Sequence, residues 1–327
     1  MAGRSDHTVL RQLFRDWGRP LAKIRKAGGQ TNRNYRVLTK KGEKFFVRLP
    51  WKQEDMVDRT AEGKNIQAIL ENKKTASLVP RAFVYVLSTR NILNSKDELR
   101  YQAPDGTMIS EYIEGREFTT ADFQKGRYQV ALANLLHRFH ASGVRFANPY
   151  NVFRDEVRKY RVKALRHPWK QLLDAATAAQ LKTLEREAEQ RLRAYGRGVS
   201  THNDVIFQNI LVAKDGNLYL LDFEYAGLNT KGGIFYDLGY VLRDSFFNPP
   251  RMRMQMFEQF LLRADKTHKK HLDREQIYWS VIAALLVGIW WGVLRYFSVP
   301  QKERAYFRRY IQRGVRGVKE MKALLRV

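Results

Sequence analysis

The first part of the chain alternates short apolar runs with polar turns. Residues 31–39, TNRNYRVLT, and 44–50, KFFVRLP, are separated by KKGE, which predicts two strands joined by a glycine-bearing turn. Further strands are predicted over 77–87 and 107–115. Between residues 50 and 77, residues 58–72 repeat apolar positions at helical spacing and predict a helix. This pattern is typical of a small β-rich unit.

The pattern becomes helical after about residue 115. Residues 131–143, ALANLLHRFHASG, predict a helix that stops at its glycine, and 174–195 predict another. Residues 209–224, NILVAKDGNLYLLDFE, predict a strand hairpin that turns at Asp-Gly. From residue 250 the pattern is again helical, with a break near Pro300. Helices therefore dominate the second part of the chain.

These patterns predict two lobes and a connector between them. We place a β-rich N-terminal lobe at residues 1–107, a connector at 108–114 and a larger α-helical lobe at 115–327. The polar residues at the hairpin are expected where the lobes meet. Because ligands bind preferentially in clefts, we expect a binding site there.

Composition adds an unusual charge to this picture. The chain has 59 Lys and Arg against 33 Asp and Glu, a net charge of +26, and it has no cysteine. Disulfides, thiolate nucleophiles and cysteine metal sites are therefore excluded. No signal segment is recognised at the N-terminus, so a cytoplasmic protein is expected. The charge favours anionic partners such as nucleic acid, an acidic membrane face or polyphosphate ligands, although it also fits a surface that is merely basic.

One stretch has the composition of a short membrane span. Residues 278–294, YWSVIAALLVGIWWGVL, form an almost uncharged run of seventeen residues, the short limit for crossing a bilayer. We interpret the run as a buried core helix that also contributes to a pocket, because the rest of the chain is so polar.

Four oxygen-bearing side chains flank the predicted hairpin. Asp204 and Asn209 lie in the loop that enters it, and Asp222 and Glu224 lie at its exit. A hairpin brings its two ends together, so these side chains should converge. Hard oxygen ligands of this kind suit Mg²⁺, which shares its coordination with water and substrate phosphates.

The spacing His-x-Asp-x-x-x-x-Asn, followed by an Asp after a short hairpin, resembles the catalytic loop and metal site of kinases. The segments HNDVIFQN, DFEYAG and YDLG are similar to those of choline and ethanolamine kinases, which belong to the aminoglycoside phosphotransferase (protein kinase-like) superfamily. The resemblance includes GGQTNRNYRV, FFVRLP and LLHRFHASG, and it covers roughly residues 25–245. It implies an α+β fold of two lobes, like that of protein kinases.

The resemblance also implies roles for individual residues. Asp204 would be the catalytic base, His202 would brace its loop, and Asn209 would join Asp222 and Glu224 as ligands of Mg²⁺. The residues implied in binding ATP are Gly28, Gly29, Thr31 and Asn32 of the phosphate-covering turn, Arg48 with its ion-pair partner Glu62, and Glu111 and Tyr112 of the connector at 108–112. The residues implied in binding the acceptor are Glu224, Tyr225, Trp290 and Trp291.

The sequence departs from related patterns at two points. Arg48 stands where protein kinases have a lysine. Choline kinase-like proteins often have an arginine at this position, and its planar guanidinium can hold phosphate oxygens. Choline kinases space two tryptophans as W-G-x-W, whereas this chain reads Trp291-Gly292-Val293-Leu294. The aromatic cage for a quaternary ammonium would therefore lack one wall.

These observations favour an ATP-dependent phosphotransferase that acts on a hydroxyl of a choline-like or ethanolamine-like molecule. The high positive charge favours a second hypothesis, a kinase for an anionic or membrane-associated sugar or lipid component. A third is a non-catalytic pseudokinase or nucleic-acid-binding scaffold. A pseudokinase is opposed by the presence of Asp204, Asn209 and Asp222. A nucleic-acid-binding scaffold is opposed by the lack of a recognisable nucleic-acid motif. No nucleic-acid partner is expected.

Three other features receive structural interpretations. His137 and His140 have no evident third ligand, so we interpret them as packing and surface residues of a helix and not as a zinc pair. Asp237 of YDLG is expected to support the catalytic loop. Residues 295–327 form a basic amphipathic helix, which either caps the protein's own core or lies on an anionic membrane at the inner face.

Overall fold

The computed structural model describes residues 5–28, 32–50, 57–247 and 254–325. The strands in chain order are β1 (Leu21–Ala27), β2 (Asn32–Thr39), β3 (Lys44–Pro50), β4 (Ala82–Leu87), β5 (Arg90–Asn91), β6 (Met108–Glu111), β7 (Gly115–Glu117), β8 (Pro149–Tyr150), β9 (Ala194–Thr201), β10 (Ile210–Ala213), β11 (Leu218–Leu220) and β12 (Gly227–Lys231). The α-helices are α1 (Asp6–Asp16), α2 (Arg59–Glu71), α3 (Thr120–Phe123), α4 (Gly126–His140), α5 (Arg158–Ala164), α6 (Ala175–Arg191), α7 (Ile234–Phe247), α8 (Met254–His268), α9 (Arg274–Ser298) and α10 (Gln301–Leu324). Short 3₁₀ turns occur at Ala76–Leu78, Trp169–Gln171 and Phe207–Asn209, and a π-helical turn, Phe153–Val157, leads into α5.

The chain divides into two compact units. Unit 1 contains residues 1–116 and 212–225, and unit 2 contains residues 117–211 and 226–327. The predicted division, with a connector at 108–114, stays a prediction.

Unit 1 is built on an antiparallel sheet with the strand order β1-β2-β3-β6-β4-β5. One face of this sheet forms an apolar core in which Phe45, Val47 and Leu49 of β3 are buried, as the alternation of β3 predicts. Helix α1 packs on this core through Leu10, Leu13 and Phe14. Helix α1 is not predicted from the sequence pattern.

Helix α2 begins where its sequence predicts. The carboxylate of Asp58 accepts hydrogen bonds from the N–H groups of Thr60 and Ala61, both at 3.0 Å, which satisfies two donors that the helix itself leaves unpaired. Ile66 and Ile69 are buried, and so is Glu62 in the first turn. A buried carboxylate there needs cationic partners, which the active-site residues supply.

Helix α9 forms the core of unit 2. In the described part of the chain, it is the helix that is long and apolar enough to cross a membrane, but 83% of its most apolar window is buried inside the structure. Helices α7 and α10 pack against it, and a side chain at Gly288 would place its Cβ 2.6 Å from Arg243 and Phe247. The prediction of a core helix is therefore confirmed.

Helix α10 caps this core. Its residues at steps of three and four, Phe307, Tyr310, Ile311, Gly314, Val318 and Met321, are buried. The apolar stripe is therefore used inside the protein. Of the two alternatives for this basic amphipathic helix, the packing shows the cap.

The hairpin of β10 and β11 forms as predicted, and Gly216 at its turn has φ +86°, which favours glycine. The helix predicted over 174–195 is wrong at its end, because α6 stops at Arg191 and β9 starts at Ala194. Residues 194–201 pair with β12 instead, and Gly198 has φ +66°, which a helix does not allow.

Candidate active site

In unit 2, the predicted catalytic loop is closed by a bond between its two main residues. The side-chain amide nitrogen of Asn209 donates to Oδ2 of Asp204 and to the Asp204 carbonyl oxygen, both at 2.9 Å. These bonds orient the carboxylate of Asp204. Both bonds use the amide nitrogen of Asn209, so its amide oxygen, the atom able to bind a cation, is not involved in the contact with Asp204.

His202 and Asn203 support Asp204 from within the loop. His202 is fully buried, and its Nδ1 accepts a hydrogen bond from the N–H of Asp204 at 3.3 Å. Asn203 has φ +66°, a left-handed conformation that asparagine adopts more readily than most residues. Its side chain is held by the hydroxyl of Thr201 at 2.7 Å and the amide of Asn229 at 2.8 Å.

Asp237 of α7 holds the start of the loop, in agreement with the supporting role expected for it. Its carboxylate accepts hydrogen bonds from the N–H groups of His202 at 3.0 Å and Asn203 at 2.8 Å. Nε2 of His140 lies 2.7 Å from the same carboxylate. The side chain of His140 is 3% exposed and packs against Asp237, in agreement with its interpretation as a packing residue.

His137 instead contacts His268, with their Nδ1 atoms 3.3 Å apart. Burial and the neighbouring His140 lower the pKa of His137. Within the described ranges, no group of three or more His, Cys, Asp or Glu side chains is arranged to hold a metal ion.

Asp244 is a second support of the loop that sequence reasoning missed. It lies two turns after Asp237 on α7, and its carboxylate accepts the N–H of Phe207 at 3.0 Å. The signal was present as an aspartate seven residues after Asp237, which is the spacing of two helical turns.

In unit 1, Arg48 of β3 is the centre of a buried ionic cluster. Its Nη2 lies 2.6 Å from Oε1 of Glu62, and its Nη1 donates to Oδ1 of Asp222 at 3.0 Å. Burial alone would lower the pKa of Arg48, but the charges of Glu62 and Asp222 outweigh burial and raise it. The expected ion pair of Arg48 and Glu62 is present, and the same arginine also contacts the predicted metal ligand Asp222.

Arg59 is a second arginine in this cluster, and the sequence analysis did not identify it. Its Nη1 lies 2.8 Å from Oε2 of Glu62 and 3.3 Å from Oε2 of Glu224. The hydroxyl of Tyr85 is 2.6 Å from Glu62, and the side-chain amide of Asn32 donates to Glu224 at 3.3 Å. Arg59 precedes Glu62 by three residues on α2, a spacing at which side chains meet.

The cluster carries an excess of carboxyl groups. Three acids, Glu62, Asp222 and Glu224, face the two guanidinium groups of Arg48 and Arg59. Burial and the charges of Asp222 and Glu62 raise the pKa of Glu224 well above its ordinary value. A cation near Asp222 and Glu224 would stabilise the ionised form of Glu224.

This donor set fits Mg²⁺. The ion prefers oxygen ligands, and it is usually held by one or two protein carboxylates together with waters and substrate phosphates. Asp222 and Glu224 supply two carboxylates in unit 1. Asp222 has φ +60°, a conformation that costs free energy in a non-glycine residue and that occurs at functional sites.

The phosphate-covering turn is described only in part. The carbonyl oxygen of Gly28 accepts a hydrogen bond from the side-chain amide of Asn34 at 2.9 Å. Gly29 and Thr31, which were also predicted to bind nucleotide, lie outside the described residues.

The predicted connector residues have side chains that are occupied by protein contacts. Oε1 of Glu111 accepts the N–H of Arg81 at 2.7 Å, and the guanidinium of Arg36 lies 5.4 Å from the centre of the Tyr112 ring. Adenine binding there, which the family resemblance implies, would therefore depend mostly on backbone atoms.

The predicted acceptor residues lie in different units. Glu224 and Tyr225 belong to unit 1, and the two tryptophans belong to α9 in unit 2. Trp290 is buried, and its indole N–H has no hydrogen-bond partner among residues 5–28, 32–50, 57–247 and 254–325. The ring of Trp291 contacts those of Phe307 and Tyr310, with centroids 5.7 and 5.6 Å away.

Unit 2 contains a further buried acid, Glu156, in the π-helical turn before α5. The hydroxyl of Tyr150 donates to Glu156, and the Tyr236 hydroxyl lies 3.4 Å from that of Tyr150. Burial raises the pKa of Glu156 to about 8, and the charge of Asp204 contributes in the same direction. No periodic pattern or motif in the sequence points to Glu156.

A model of the phosphotransferase enzyme family matches residues 7–271 of this chain. The match spans most of the sequence and includes the Asp204 loop, the Arg48 cluster and α7. The chain belongs to this family. The predicted family resemblance and the prediction of a phosphotransferase are therefore confirmed.

Solved structures show that this phosphotransferase has the protein kinase-like fold predicted for it, an antiparallel sheet followed by a mainly helical part. The choline kinase LicA from Streptococcus pneumoniae is 20% identical, with a TM-score of 0.72 over 96% of this chain and 99% of that one. An ethanolamine kinase from Plasmodium vivax is 15% identical, with a TM-score of 0.65 over 92% and 82%. Spectinomycin phosphotransferase APH(9)-Ia, in complex with ADP and spectinomycin, is 13% identical, with a TM-score of 0.65 over 98% and 99%. No curated protein sequence matches the chain.

Proposed function

We propose that this phosphotransferase transfers the γ-phosphoryl group of ATP to a hydroxyl group of a small amino alcohol, choline or ethanolamine. The observation that carries the proposal is the Asp204 carboxylate, which Asn209 orients at 2.9 Å and which lies in a loop braced by α7. Family membership supports phosphoryl transfer to a small molecule.

Asp204 is the general base in this proposal. Its carboxylate accepts the proton of the acceptor hydroxyl as the oxygen bonds to the γ-phosphorus, and the bond from that phosphorus to the bridging oxygen breaks to release ADP. His202 and Asn209 are positioning residues, because they contact Asp204 and fix its orientation. Orientation matters because this kind of reaction depends mainly on placement and on charge neutralisation.

The nucleotide groups of the proposal come mostly from unit 1. Arg48, held by Glu62, binds phosphate oxygens with its fork, and Asn32 lies in the turn assigned to phosphates. Asp222, Glu224 and Asn209 are the proposed ligands of Mg²⁺, which when bound neutralises negative charge on the phosphates. ADP in the similarly folded spectinomycin phosphotransferase supports an adenine nucleotide as donor.

The proposed acceptor is a small amino alcohol. The likeness in fold to a choline kinase and an ethanolamine kinase supports an amino alcohol. Carboxylate and aromatic side chains suit a cationic amine, and we assign this role to Glu224, Tyr225 and Trp290. Trp291 has a smaller share, because its ring already contacts Phe307 and Tyr310. The cytoplasm, where ATP is present, is the proposed location.

The charge of +26 supports a second candidate function, a kinase for an anionic sugar or lipid component. A positive field raises the local concentration of anions and lowers that of cations such as choline. The fold also occurs in a phosphotransferase whose structure contains spectinomycin, so the fold alone does not choose the acceptor.

A panel of acceptors tests these candidates directly. ATP consumption and phosphorylated product are measured with choline, ethanolamine, an aminoglycoside, neutral sugars and sugar phosphates. Turnover of choline or ethanolamine that disappears in Asp204→Asn supports the leading proposal. Clear turnover of a sugar or sugar phosphate, without turnover of any amino alcohol, selects the second candidate.

A further inference from the structure

The outer face of α5 exposes aliphatic side chains among basic ones. The helix buries Tyr160 and Ala164 on its inner face. Val162 and Leu165 are 47% and 41% exposed, and they are neighbours because they lie three positions apart, about one helical turn. Lys159 is also exposed. We use the name α5 patch for Lys159, Val162, Leu165, Arg166, Trp169 and Lys170.

The segment that contains the α5 patch carries only positive charges. Residues 157–173 contain six Lys and Arg and no Asp or Glu. Arg158 and Arg161 use their charges internally, on Glu185. In contrast, the three exposed cations Lys159, Arg166 and Lys170 form no ion pair with any residue that the structure describes. Their field is therefore not neutralised locally.

The turn that follows α5 is fixed in place next to this charge. His167 stacks on Phe297 with ring centroids 5.0 Å apart, and Nη1 of Arg308 donates to the carbonyl oxygen of Gln171 at 2.9 Å. Trp169 is partly exposed at the edge of a surface depression lined by residues 167–171. A tryptophan presented on an ordered turn beside lysines and arginines is typical of a lipid–water interface.

We propose that the α5 patch docks this protein on the surface of a bilayer that contains anionic lipids. The exposed aliphatic side chains favour lipid over nucleic acid, because Val162 and Leu165 can neither stack on bases nor hydrogen-bond to them, whereas they can enter the acyl boundary. A second copy of the same patch does not fit, because the cations of the two copies would repel.

Sedimentation with vesicles tests the charge of the patch. The wild-type protein should bind vesicles of phosphatidylcholine with phosphatidylglycerol at low salt and should not bind phosphatidylcholine alone. The triple variant Lys159→Glu, Arg166→Glu, Lys170→Glu should bind the anionic vesicles about a hundredfold more weakly, since each basic residue at an acidic leaflet contributes about fivefold. The matched control is Lys40→Glu, Lys41→Glu, Lys73→Glu, which changes three exposed lysines of unit 1 by the same total charge. It should change binding by less than about tenfold.

The aliphatic part of the patch has its own test. Val162→Ser with Leu165→Ser should weaken binding to the anionic vesicles several-fold, whereas Leu99→Ser with Leu262→Ser, at positions 45% and 53% exposed, should not. Circular dichroism verifies that each variant is folded. The proposal is overturned if the wild-type protein does not bind anionic vesicles, or if the two charge variants weaken binding equally. Binding of a 20-base-pair duplex that is stronger than vesicle binding and is lost in the triple variant would reassign the patch to nucleic acid.

Discussion

The carboxylate of Asp244 accepts a hydrogen bond from the backbone N–H of Phe207 at 3.0 Å. Two turns earlier on α7, Asp237 accepts the N–H groups of His202 and Asn203. One helix therefore fixes the loop on both sides of Asp204. A rigid loop matters because a general base acts only from a narrow range of positions.

Removing the hydrogen bond between Asp244 and Phe207 should reduce turnover more than it reduces substrate binding. Asp244→Ala leaves the buried N–H of Phe207 without its acceptor, which costs about 1–3 kcal/mol of stability and loosens the loop. We expect kcat to fall roughly tenfold or more with little change in KM.

A matched control separates loop position from general stability. Asp265 is also a buried aspartate of unit 2, and it accepts the N–H of Leu272 at 2.9 Å. Asp265→Ala should lose comparable stability in urea unfolding while keeping its kcat. Equal effects of the two variants on kcat would show that Asp244 acts only on stability.

Substitution of Asp204 and substitution of Asp222 should have different kinetic effects. Asp204→Asn keeps a hydrogen-bond acceptor for Asn209 but cannot accept a proton, so kcat should fall on the order of 10²–10⁴-fold. Asp222→Asn removes a charge from the proposed Mg²⁺ ligands, so the Mg²⁺ concentration needed for half-maximal rate should rise.

Steady-state kinetics over a range of Mg²⁺ concentrations distinguishes these outcomes. Added Mg²⁺ should partly restore Asp222→Asn and should not restore Asp204→Asn. Near-normal turnover of Asp204→Asn on its acceptor would disprove the general-base role. An unchanged Mg²⁺ dependence in Asp222→Asn would remove that residue from the proposed metal ligands.

The sequence predicts the features that depend on local spacing. The alternation of β3 shows which side chains enter the core, and the stop at Pro300 separates α9 from α10. Asp204 and Asn209 are close enough in sequence to lie in one tight loop, so their contact depends on the conformation of only a few residues. The fold class could be predicted because many short segments occur in a specific order.

Contacts between distant segments were harder to predict. Arg59 meets Glu224 across 165 positions of sequence. Tyr150 and Glu156 are only 6 positions apart, but Glu156 lies in a π-helical turn that has no sequence signature. Helix α1 was missed because its few apolar positions lie among charged residues. Its burial depends on the sheet that it covers.

Arg48 should not be replaceable by lysine. Its guanidinium contacts Glu62 through one nitrogen and Asp222 through another, and a single ammonium group cannot reproduce this planar fork. We expect Arg48→Lys to keep the fold and to raise the KM for ATP roughly tenfold.

A lysine exchange elsewhere in the cluster is the control for Arg48. Arg59→Lys changes the other arginine of the same ionic cluster, whose Nη1 contacts both Glu62 and Glu224. It should alter the KM for ATP much less. An unchanged KM for ATP in Arg48→Lys would show that Arg48 has a structural role only.

Glu156 should make the stability of the protein depend on pH. Burial raises its pKa to about 8 in the folded protein, from an ordinary value of 4.5. Between these values the folded protein holds a proton that the unfolded chain has lost, so stability falls as pH rises, by at most about 1.4 kcal/mol per pH unit. Below pH 4.5 the contribution of Glu156 to the free energy of unfolding is fully present. Above pH 8 that contribution no longer changes with pH.

Urea unfolding at pH 5, 6.5 and 8 measures this slope. Glu156→Gln keeps an acceptor for the Tyr150 hydroxyl but carries no titratable group, so its slope should be smaller and its relative stability greatest at pH 8. Glu185→Gln, which alters a buried glutamate paired with Arg158 and Arg161, should lower stability without flattening the slope. A slope in Glu156→Gln equal to that of the wild type would rule out the assignment.

Trp290 and Trp291 are neighbours on α9 but should affect the acceptor differently. The ring of Trp291 already packs edge-on against Phe307 and at a tilt against Tyr310, so its replacement should affect stability first. Trp290 buries an indole N–H that has no hydrogen-bond partner in the described part of the chain, which is costly unless a ligand supplies the acceptor. We therefore expect Trp290→Phe to lower kcat/KM for choline or ethanolamine at least roughly tenfold, with the KM for ATP unchanged, because the variant loses the N–H and part of the aromatic face. Trp291→Phe is the control, and its kcat/KM should fall less than about threefold. Equal losses in both variants, matched by equal losses of stability in urea, would show that Trp290 only fills the core and would remove it from the proposed acceptor site.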